Sequence, residues 1–339
     1  MIFCPKNKAI ALLCCLLFSI SACENPPQKS TASKQSSQKL PTITIAVTGA
    51  PANWLTILAF EKGFFKKAGL DATPKYFPSG KRALLGMFAG DVDIATTADV
   101  PIVKNSLERN DFAILATIGT TYNDNKVIAR NDHGIVSPED LRNKQVATQS
   151  SSAAHFFLHL FLLKNNLSKT DIIPSFAKIE ELPAMLCNGK AEAIVTRQPF
   201  IRKAQEQCGN KIIIFEEPGL FVKNFHLTAF KDFINLNQLS IQKMLQAMLE
   251  AEQFMRNHKD EAVSLLAHEL GLLDNQVRLT IEEIDLAVSL NQPSLRILAD
   301  ETRWLTDVKS LDKEVPNFLD FIWMDGLKTV RPEAVTIIY

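Results

Sequence analysis

The sequence has no excess of charge of either sign, since 37 lysines and arginines balance 37 aspartates and glutamates over 339 residues. It also has no basic run interleaved with aromatic side chains, and no internal repeat. A balanced charge gives no electrostatic reason to bind a nucleic acid, so no nucleic-acid partner is expected. An apolar fraction of 46% and a charged fraction of 22% are ordinary for a globular protein.

The sequence is equally poor in the groupings of residues that carry catalysis. We find no Ser/His/Asp grouping and no Cys/His grouping at the spacing expected for an activated nucleophile. His155 and His159 share one face of an apolar helical stretch, but the further ligands that a metal site needs are not found. These histidines are therefore expected to pack against their neighbours. We predict no metal, no cofactor and no enzymatic activity.

Only one hydrophobic run approaches the length of a membrane segment, and it lies at the N-terminus. It extends from Ala9 to Ile20, follows a short basic segment, and is too short to span a bilayer comfortably. This pattern is typical of a secretory signal peptide, predicted here over residues 1–22. The next residue ends the sequence ISAC, which resembles a bacterial lipobox, so Cys23 is predicted to be lipidated. Cleavage of an ordinary signal peptide near Ala22 is the alternative.

The segment that follows Cys23 lacks large aliphatic side chains. Residues 24–39 contain none larger than alanine, so this stretch cannot bury enough apolar surface to order itself. Together with the lipidated cysteine it predicts a flexible tether over residues 23–40, with a root-mean-square reach of roughly 20–25 Å. The folded body would then be held in the periplasm or at the outer face of the cytoplasmic membrane.

Cysteine is scarce in the rest of the chain. Of six cysteines, four lie within the first 23 residues, which leaves Cys187 and Cys208. Each ends a helical segment, and one predicted strand lies between them. An even pair in an oxidising compartment favours a disulfide, and two free buried thiols are the alternative.

From residue 42 onward, short apolar strands alternate with helical segments, which predicts an α/β fold with mainly parallel sheets. A second unit of this kind begins at Ser137, where a proline and an aspartate mark a helix start. After Asp232 the pattern is helical only. We therefore predict two α/β lobes, with chain crossings near residues 131–135 and 224–228. The predicted ranges are 41–132 for the first lobe, 133–226 for the second, and 227–339 for a return strand and C-terminal helices of the first.

Five segments of the chain resemble a known family when they are taken in order: EKGFFKKAGLD, FPSGKRALLGMFAGDVDIA, SPEDLRNKQVAT with SSSAAHFFL, GKAEAIVTRQPF, and MDGLKTVRPEAV. The family is the substrate-binding lipoproteins of ABC importers of the nitrate, sulfonate, taurine and thiamine-precursor type. The resemblance extends from residue 42 to about residue 335. It implies a type II periplasmic-binding-protein fold with a hinged ligand cleft. It also implies a monomeric protein that delivers its ligand to a permease and an ATPase in the membrane.

Three predicted helices begin with polar residues at strand ends, in the sequences PSG, TTAD and QSSS. Because the carboxyl ends of parallel strands meet at one edge of a sheet, these starts should converge on the cleft. A helix N-terminus offers unpaired N–H groups and a partial positive charge, which suit a sulfonate, a nitrate or a carboxylate. The candidate ligand-binding residues are Asn53, Trp54, Ser79, Gly80, Thr97, Asp99, Tyr122, Ser150, Ser151, Ser152, Arg197 and Gln198.

Several of these candidates have a second interpretation. Of the three serines in QSSS, one hydroxyl is expected to cap the helix and the others to bind ligand. Asp99 could instead be a helix cap, and Trp54 could be a core residue rather than a stacking surface for a planar ligand. Arg197 stands where the resembled family usually has tryptophan, and its planar guanidinium suits an oxyanion. It could also point to solvent, or pair with Glu216 or Glu217.

The sequence as a whole predicts a binding protein that closes on a small ligand bearing an oxyanion, such as a sulfonate, nitrate or taurine. A pyrimidine precursor of thiamine is the alternative ligand within the resembled family. Two other functions stay open. One is an enzyme, because the same fold includes pyrimidine-precursor synthases and menaquinone-pathway enzymes. The other is a sensor or adhesion lipoprotein that docks a receptor.

Overall fold

The structure is a computed structural model that describes residues 41–338. The predicted signal peptide, the lipidated Cys23 and the tether lie outside the described residues. Within the described range, no helix is both long enough and apolar enough to cross a membrane. The strands, in chain order, are β1 (Thr42–Val47), β2 (Asp71–Tyr76), β3 (Ile94–Ala98), β4 (Phe112–Thr121), β5 (Lys126–Arg130), β6 (Gln145–Thr148), β7 (Ile173–Phe176), β8 (Ala193–Thr196), β9 (Ile212–Phe215), β10 (Lys223–Phe230) and β11 (Ile284–Asp285).

The α-helices cover the faces of the sheets and make up most of the chain after β10. They are α1 (Trp54–Glu61), α2 (Phe64–Lys67), α3 (Gly80–Phe88), α4 (Asp99–Ser106), α5 (Ala153–Lys164), α6 (Leu182–Cys187), α7 (Phe200–Cys208), α8 (Lys231–Leu236), α9 (Gln238–Asn257), α10 (Lys259–Leu270), α11 (Asp274–Glu282), α12 (Gln292–Lys309) and α13 (Met324–Val330).

The first sheet has six strands in the order β11-β4-β10-β3-β1-β2. Strand β1 pairs in parallel with β2 and β3, as the alternating pattern predicts. Strand β10 runs antiparallel between β3 and β4, with Phe225 opposite Ala98. Strand β10 is therefore the predicted return strand, and it occupies a central position in the first sheet.

The second sheet has five strands in the order β7-β6-β8-β5-β9, with β5 antiparallel to both of its neighbours. The sequence predicts β5 in the first lobe, because the first crossing between the lobes was expected after this strand, near residues 131–135. Its place in the second sheet puts the first crossing at residues 122–125, and the second lies at residues 216–222. The apolar pattern of β5 fits either sheet, so the pattern cannot decide which sheet it joins.

Local sequence explains the helices that matter most for the cleft. Helix α5 is apolar on almost every side and is buried along most of its length, and the Ser152 side chain caps its start. Helix α9 buries Ile241, Met244, Leu245 and Met248 on one face, as their spacing predicts. A disulfide joins Cys187 at the end of α6 to Cys208 at the end of α7, with the two Cα atoms 5.1 Å apart. It holds together two helices of the second lobe.

The two sheets point their carboxyl-terminal strand ends at the same region. Loops after β1, β2, β3 and β4 meet loops after β6 and β8 there, and β10 begins at this place. Loops at the carboxyl ends of parallel strands are where open α/β sheets bind ligands. The fold therefore brings the predicted site loops into one cleft.

Candidate functional site

Two cavities occupy this cleft. The smaller one has a volume of about 30 Å³ and lies where the starts of three helices meet. The N-cap side chains Ser79 and Ser152 open α3 and α5, and each accepts a hydrogen bond from a backbone N–H of its own helix. The lining residues are Ser79, Gly80, Lys81, Ala98, Pro101, Asn125, Gln149, Ser152, Ala153, Ala154, Ile179, Arg197, Lys223 and Phe225. We call this cavity and its lining the cradle.

Two buried cations form one wall of the cradle. Arg197 follows β8 and is 7% exposed, and Lys223 is the first residue of β10 and is 2% exposed. Burial lowers the pKa of both side chains, because a charged group is disfavoured away from water. Lys223 forms an ion pair with Asp124, whereas the Arg197 Nη1 donates to the carbonyl oxygen of Gln198 at 2.6 Å. The cradle is therefore electropositive.

The remaining polar groups of the cradle suit an oxygen-rich ligand. The amide nitrogen and oxygen of Asn125 are buried and have no hydrogen-bond partner among the described residues. Gln149 Nε2 donates to Ser79 Oγ at 3.4 Å, which links a loop of each lobe. Lys81 Nζ donates to the carbonyl oxygen of Ser150 at 2.6 Å, which forms a second link between the lobes. A ligand in this position would touch both lobes at once.

The larger cavity has a volume of about 390 Å³ and a mainly apolar lining. Its walls come from the loops after β1 and β4, from α7, and from the α10–α11 region. The lining residues are Gly49, Pro51, Trp54, Thr121, Asn123, Asp124, Lys126, Gln198, Pro199, Ile201, Arg202, Gln205, Ile214, Glu216, Leu270, Leu272, Gln276, Leu279, Thr280, Glu283 and Ile284. A cavity of this size and composition is typical of a site for a small organic molecule.

The two cavities adjoin. Asp124 and Gln198 line the larger cavity, and their chain neighbours Asn125 and Arg197 line the cradle. The Gln198–Pro199 peptide bond is cis. The Asp124 carboxylate lines the larger cavity and contacts the Lys223 amine, which lines the cradle. A charged head group in the cradle could thus continue into an organic body in the larger cavity.

Half of the predicted ligand-binding residues lie at these cavities. Ser79, Gly80, Ser152 and Arg197 line the cradle, and Trp54 and Gln198 line the larger cavity. Trp54 is only 1% exposed and packs in the core, as its alternative interpretation predicted. Gly80 is needed there, because a Cβ atom would lie 2.9 Å from the Cα atom of Thr97. Arg197 does not point to solvent, and the alternative pairing with glutamate does not occur, since Glu216 pairs with Lys126 and Glu217 with Lys164.

Asp99 was predicted to be a ligand contact or a helix cap, and the structure contradicts the cap. It is fully buried, lines neither cavity, and lies in the first turn of α4, whose N-cap is Ala98. Its carboxylate accepts from the backbone N–H of Asn224 at 2.7 Å and contacts His226 Nε2 at 2.8 Å. Both partners are on β10, so Asp99 joins α4 to the central strand.

Five further candidates are placed outside the linings of both cavities. Asn53 is buried and donates to the carbonyl oxygen of Thr48, and Thr97 is fully buried. Tyr122 is 45% exposed at the first crossing. Ser150 accepts the hydrogen bond from Lys81 with its backbone carbonyl oxygen and not with its hydroxyl. Ser151 is buried with a φ of 50°, a strained turn geometry. Of these three serines, the helix cap Ser152 belongs to the cradle lining, and Ser150 and Ser151 do not.

Lys223, Asp124 and Asn125 also line the cavities and were not predicted from the sequence. Two of them sit in the crossing after β4, in the sequence TYNDNK, and the third starts β10. Their polar side chains beside buried strands were a usable signal for Asp124 and Asn125. Lys223 gave no such signal, because its burial depends on a pairing between β10 and β4 that spans about a hundred residues.

The two histidines of α5 pack against rings, as predicted. His155 lies against Phe176 and Trp304, and His159 lies near Trp304, with centroid separations of 4.9, 5.2 and 6.2 Å. Burial lowers the pKa of His159. In the described part of the chain, no group of three or more histidines, cysteines or carboxylates is placed to hold a metal ion.

Comparison with known proteins identifies the family. The model of the NMT1/THI5-like family matches residues 52–262. A relative in Escherichia coli K12, named for the binding of aliphatic sulfonates, is 24% identical over 235 residues, which cover 67% of this chain and 73% of that one.

Solved structures share the fold. The alkanesulfonate-binding protein SsuA of Xanthomonas axonopodis pv. citri, solved with MOPS, has a TM-score of 0.71 at 18% identity, and covers 83% of this chain and 98% of its own. The periplasmic aliphatic sulphonate binding protein SsuA of Escherichia coli has a TM-score of 0.67 at 18% identity, and covers 84% and 98%. The desulfurization enzyme DSZB has a TM-score of 0.62 at 16% identity, and covers 86% and 99%. The chain has the periplasmic-binding-protein fold and belongs to the NMT1/THI5-like family.

Proposed function

We propose that this protein is the solute-binding component of an ABC importer, and that it captures a small organic oxyanion, most favourably a sulfonate, between its two lobes. The ligand then passes to a permease and an ATPase in the membrane. The protein itself binds and releases the ligand without transforming it. The sulfonate-binding relative and the two sulfonate-binding structures support this function.

The observation that carries the proposal is the Arg197 guanidinium at the cradle. It is buried, and no carboxylate of the described residues lies within ion-pairing distance of it. An unpaired buried charge is costly, so such a group is expected where a ligand supplies the missing charge. The starts of α3 and α5 add N–H groups that favour an anion at the same place.

The larger cavity favours an organic anion over nitrate. Nitrate would fill the cradle and leave the adjoining 390 Å³ without a ligand group. The side chains of Leu270, Leu272, Leu279 and Ile284 form apolar walls there, and they would bury an alkyl or ring body favourably. Trp54 also contacts this wall, but it is 1% exposed and packed in the core, so it offers little surface on which a planar pyrimidine could stack.

Calorimetry tests the assignment of the cradle. Hexanesulfonate, nitrate, taurine and a thiamine-precursor pyrimidine are titrated into the wild-type protein, and hexanesulfonate is expected to bind most tightly. Arg197→Met should weaken its binding by about 30-fold to about 1000-fold, because it removes a charged donor from a partly dry site. Arg142→Met is the matched control, since Arg142 pairs with Asp171 on the surface of the same lobe. Equal affinity in the Arg197→Met variant and the wild type would place the anion elsewhere.

The proposed membrane tether has its own test. Lipidation at Cys23 would anchor the binding protein beside its permease, and the motivation is the lipobox-like sequence with the polar segment behind it. The Cys23→Ser variant should lose lipid labelling and appear in the soluble fraction. A variant that is still processed at the same bond and retained by the membrane would contradict the tether.

Catalysis is the competing function, because the enzyme DSZB shares the fold. The two cysteines of the described chain are joined in a disulfide, so neither supplies a thiolate nucleophile. Hexanesulfonate incubated with the protein should be recovered unchanged. Release of sulfite or sulfate would favour an enzyme.

A further inference from the structure

The cradle contains two buried cations that share one carboxylate. Asp124 pairs with the Lys223 amine, and its charge also acts on Arg197 from a greater distance. The two cations repel each other, and this repulsion lowers the pKa of Lys223 beyond the effect of burial. Among the described residues, Asp124 is the one carboxylate within ion-pairing distance of either cation, so Arg197 is left without an ion-pair partner.

The other ionisable groups nearby form no ion pair with Arg197 or Lys223 among the described residues. Lys81 is only half-buried and bonds to the Ser150 carbonyl, so water screens its charge. The charge of Asp99 also acts on Lys223, but from beyond ion-pairing distance. The Asp99 carboxylate accepts from the backbone N–H of Asn224 and contacts His226, whose other ring nitrogen contacts Thr117 at 3.1 Å, and neither Asp99 nor His226 lines the cradle. Burial and the charge of Asp99 raise the pKa of Glu301 well above its usual range, which disfavours a further negative charge there.

We infer that the cradle selects an anionic group with a single negative charge over one with two, and that Asp124 sets this preference by holding Lys223. The inference rests on the proposed function, and it narrows the ligand to a sulfonate-like or carboxylate-like head group. Asp124 acts as a specificity-determining residue through Lys223, without being required to touch the ligand.

The physical reason is the cost of uncompensated charge in a buried site. One negative charge satisfies Arg197 and leaves the Lys223–Asp124 pair intact. Among the described residues, the cradle has no second buried cation that lacks an ion-pair partner, so a second negative charge must either rely on the half-buried Lys81 or draw Lys223 away from Asp124. In the second case the Asp124 carboxylate, whose side chain is 4% exposed, loses its partner. Leaving one partner of a buried ion pair alone is strongly unfavourable.

Hexanesulfonate and hexylphosphonate provide matched probes, since their head groups have the same tetrahedral shape. The sulfonate keeps one charge at all working pH values, and the phosphonate gains a second charge when its last proton leaves. Calorimetry is done below and above that phosphonate pKa, and the sulfonate at each pH corrects for titration of the protein. In the wild-type protein, the affinity for the phosphonate relative to the sulfonate should fall by about tenfold or more as the second charge appears. A ratio that stays flat or rises contradicts the inference.

The Asp124→Asn variant tests the residue itself. It should remove most of this fall, a change of about tenfold in the ratio, because Lys223 becomes available to the second charge. Asp124→Glu should keep the wild-type discrimination. Asp91→Asn is the control, since Asp91 pairs with Lys75 on the surface. Unchanged discrimination in Asp124→Asn overturns the role of Asp124. If neither probe binds the wild-type protein, the proposed function fails as well, so the two failures are distinguishable.

Discussion

Replacing Glu301 by methionine is expected to stabilise the protein. Glu301 is fully buried on α12, and both of its carboxyl oxygens lack a hydrogen-bond partner within the described part of the chain. Burial and the nearby charge of Asp99 raise the pKa of Glu301 well above its usual 4.5. Methionine has a similar length and no atom that needs a hydrogen bond.

The expected gain has two parts. Removing an unsatisfied buried carboxyl should add about 1–3 kcal/mol to the free energy of unfolding at any pH. The second part depends on pH, because the folded state holds the Glu301 proton more tightly than the unfolded chain does. Its contribution is fully present below the usual pKa of 4.5 and is lost as the pH rises towards the raised pKa of the folded state. Over that window the wild-type protein loses a little more than about 1 kcal/mol per pH unit from this group.

Urea denaturation at a series of pH values measures both parts. The advantage of Glu301→Met should be smallest at acidic pH and should grow towards neutral pH. Glu282→Met is the control at an exposed position on α11, where a change within about 0.5 kcal/mol is expected. A variant that is less stable than the wild type, or an advantage that does not grow with pH, would refute the reasoning about a buried, unpartnered carboxyl.

Two other predictions follow from contacts described above. The Cys187→Ser/Cys208→Ser double variant should lose roughly 3 kcal/mol of stability, because the disulfide closes a separation of 21 residues in the unfolded chain; two titratable thiols in the unfolded, unreduced wild-type protein would contradict it. Asp99→Ala should lower the free energy of unfolding by about 1–3 kcal/mol, since it leaves the groups of Asn224 and His226 buried without their acceptor. Its affinity for hexanesulfonate should stay close to that of the wild type, and a selective loss of affinity would make Asp99 a ligand contact after all.

The fold was predictable to the extent that it depends on local patterns. Alternating strand and helix signals gave the two α/β lobes, and the apolar spacing of α9 gave its buried face. The sheet to which β5 belongs could not be predicted, because a run of five residues with apolar alternation satisfies either sheet. The sheet that a strand joins is decided by its pairing with strands far away in the sequence, and a local pattern does not show this pairing.

The same distinction applies to the site. The sequence could bring Ser79, Gly80 and Ser152 to the cradle lining because helix starts have a local signature, and Arg197 was singled out because it departs from the resembled family. The prediction that Asp99 caps α4 was wrong for a related reason. An aspartate before a helical pattern looks like a cap, and the sequence does not show that its carboxylate contacts a buried histidine on another strand. Lys223 was missed because nothing near it in the sequence reveals that it is enclosed.

The position of β10 has a consequence for the order in which the molecule is assembled. All strands of the second sheet come from one continuous stretch between residues 126 and 215, whereas the first sheet stays divided until β10 enters between β3 and β4. Contacts between residues far apart in the sequence form slowly, because a long loop must close first. The second lobe can therefore fold early, while the first lobe is completed last. Since β10 also carries Lys223, the wall of the cradle is complete only when that sheet closes.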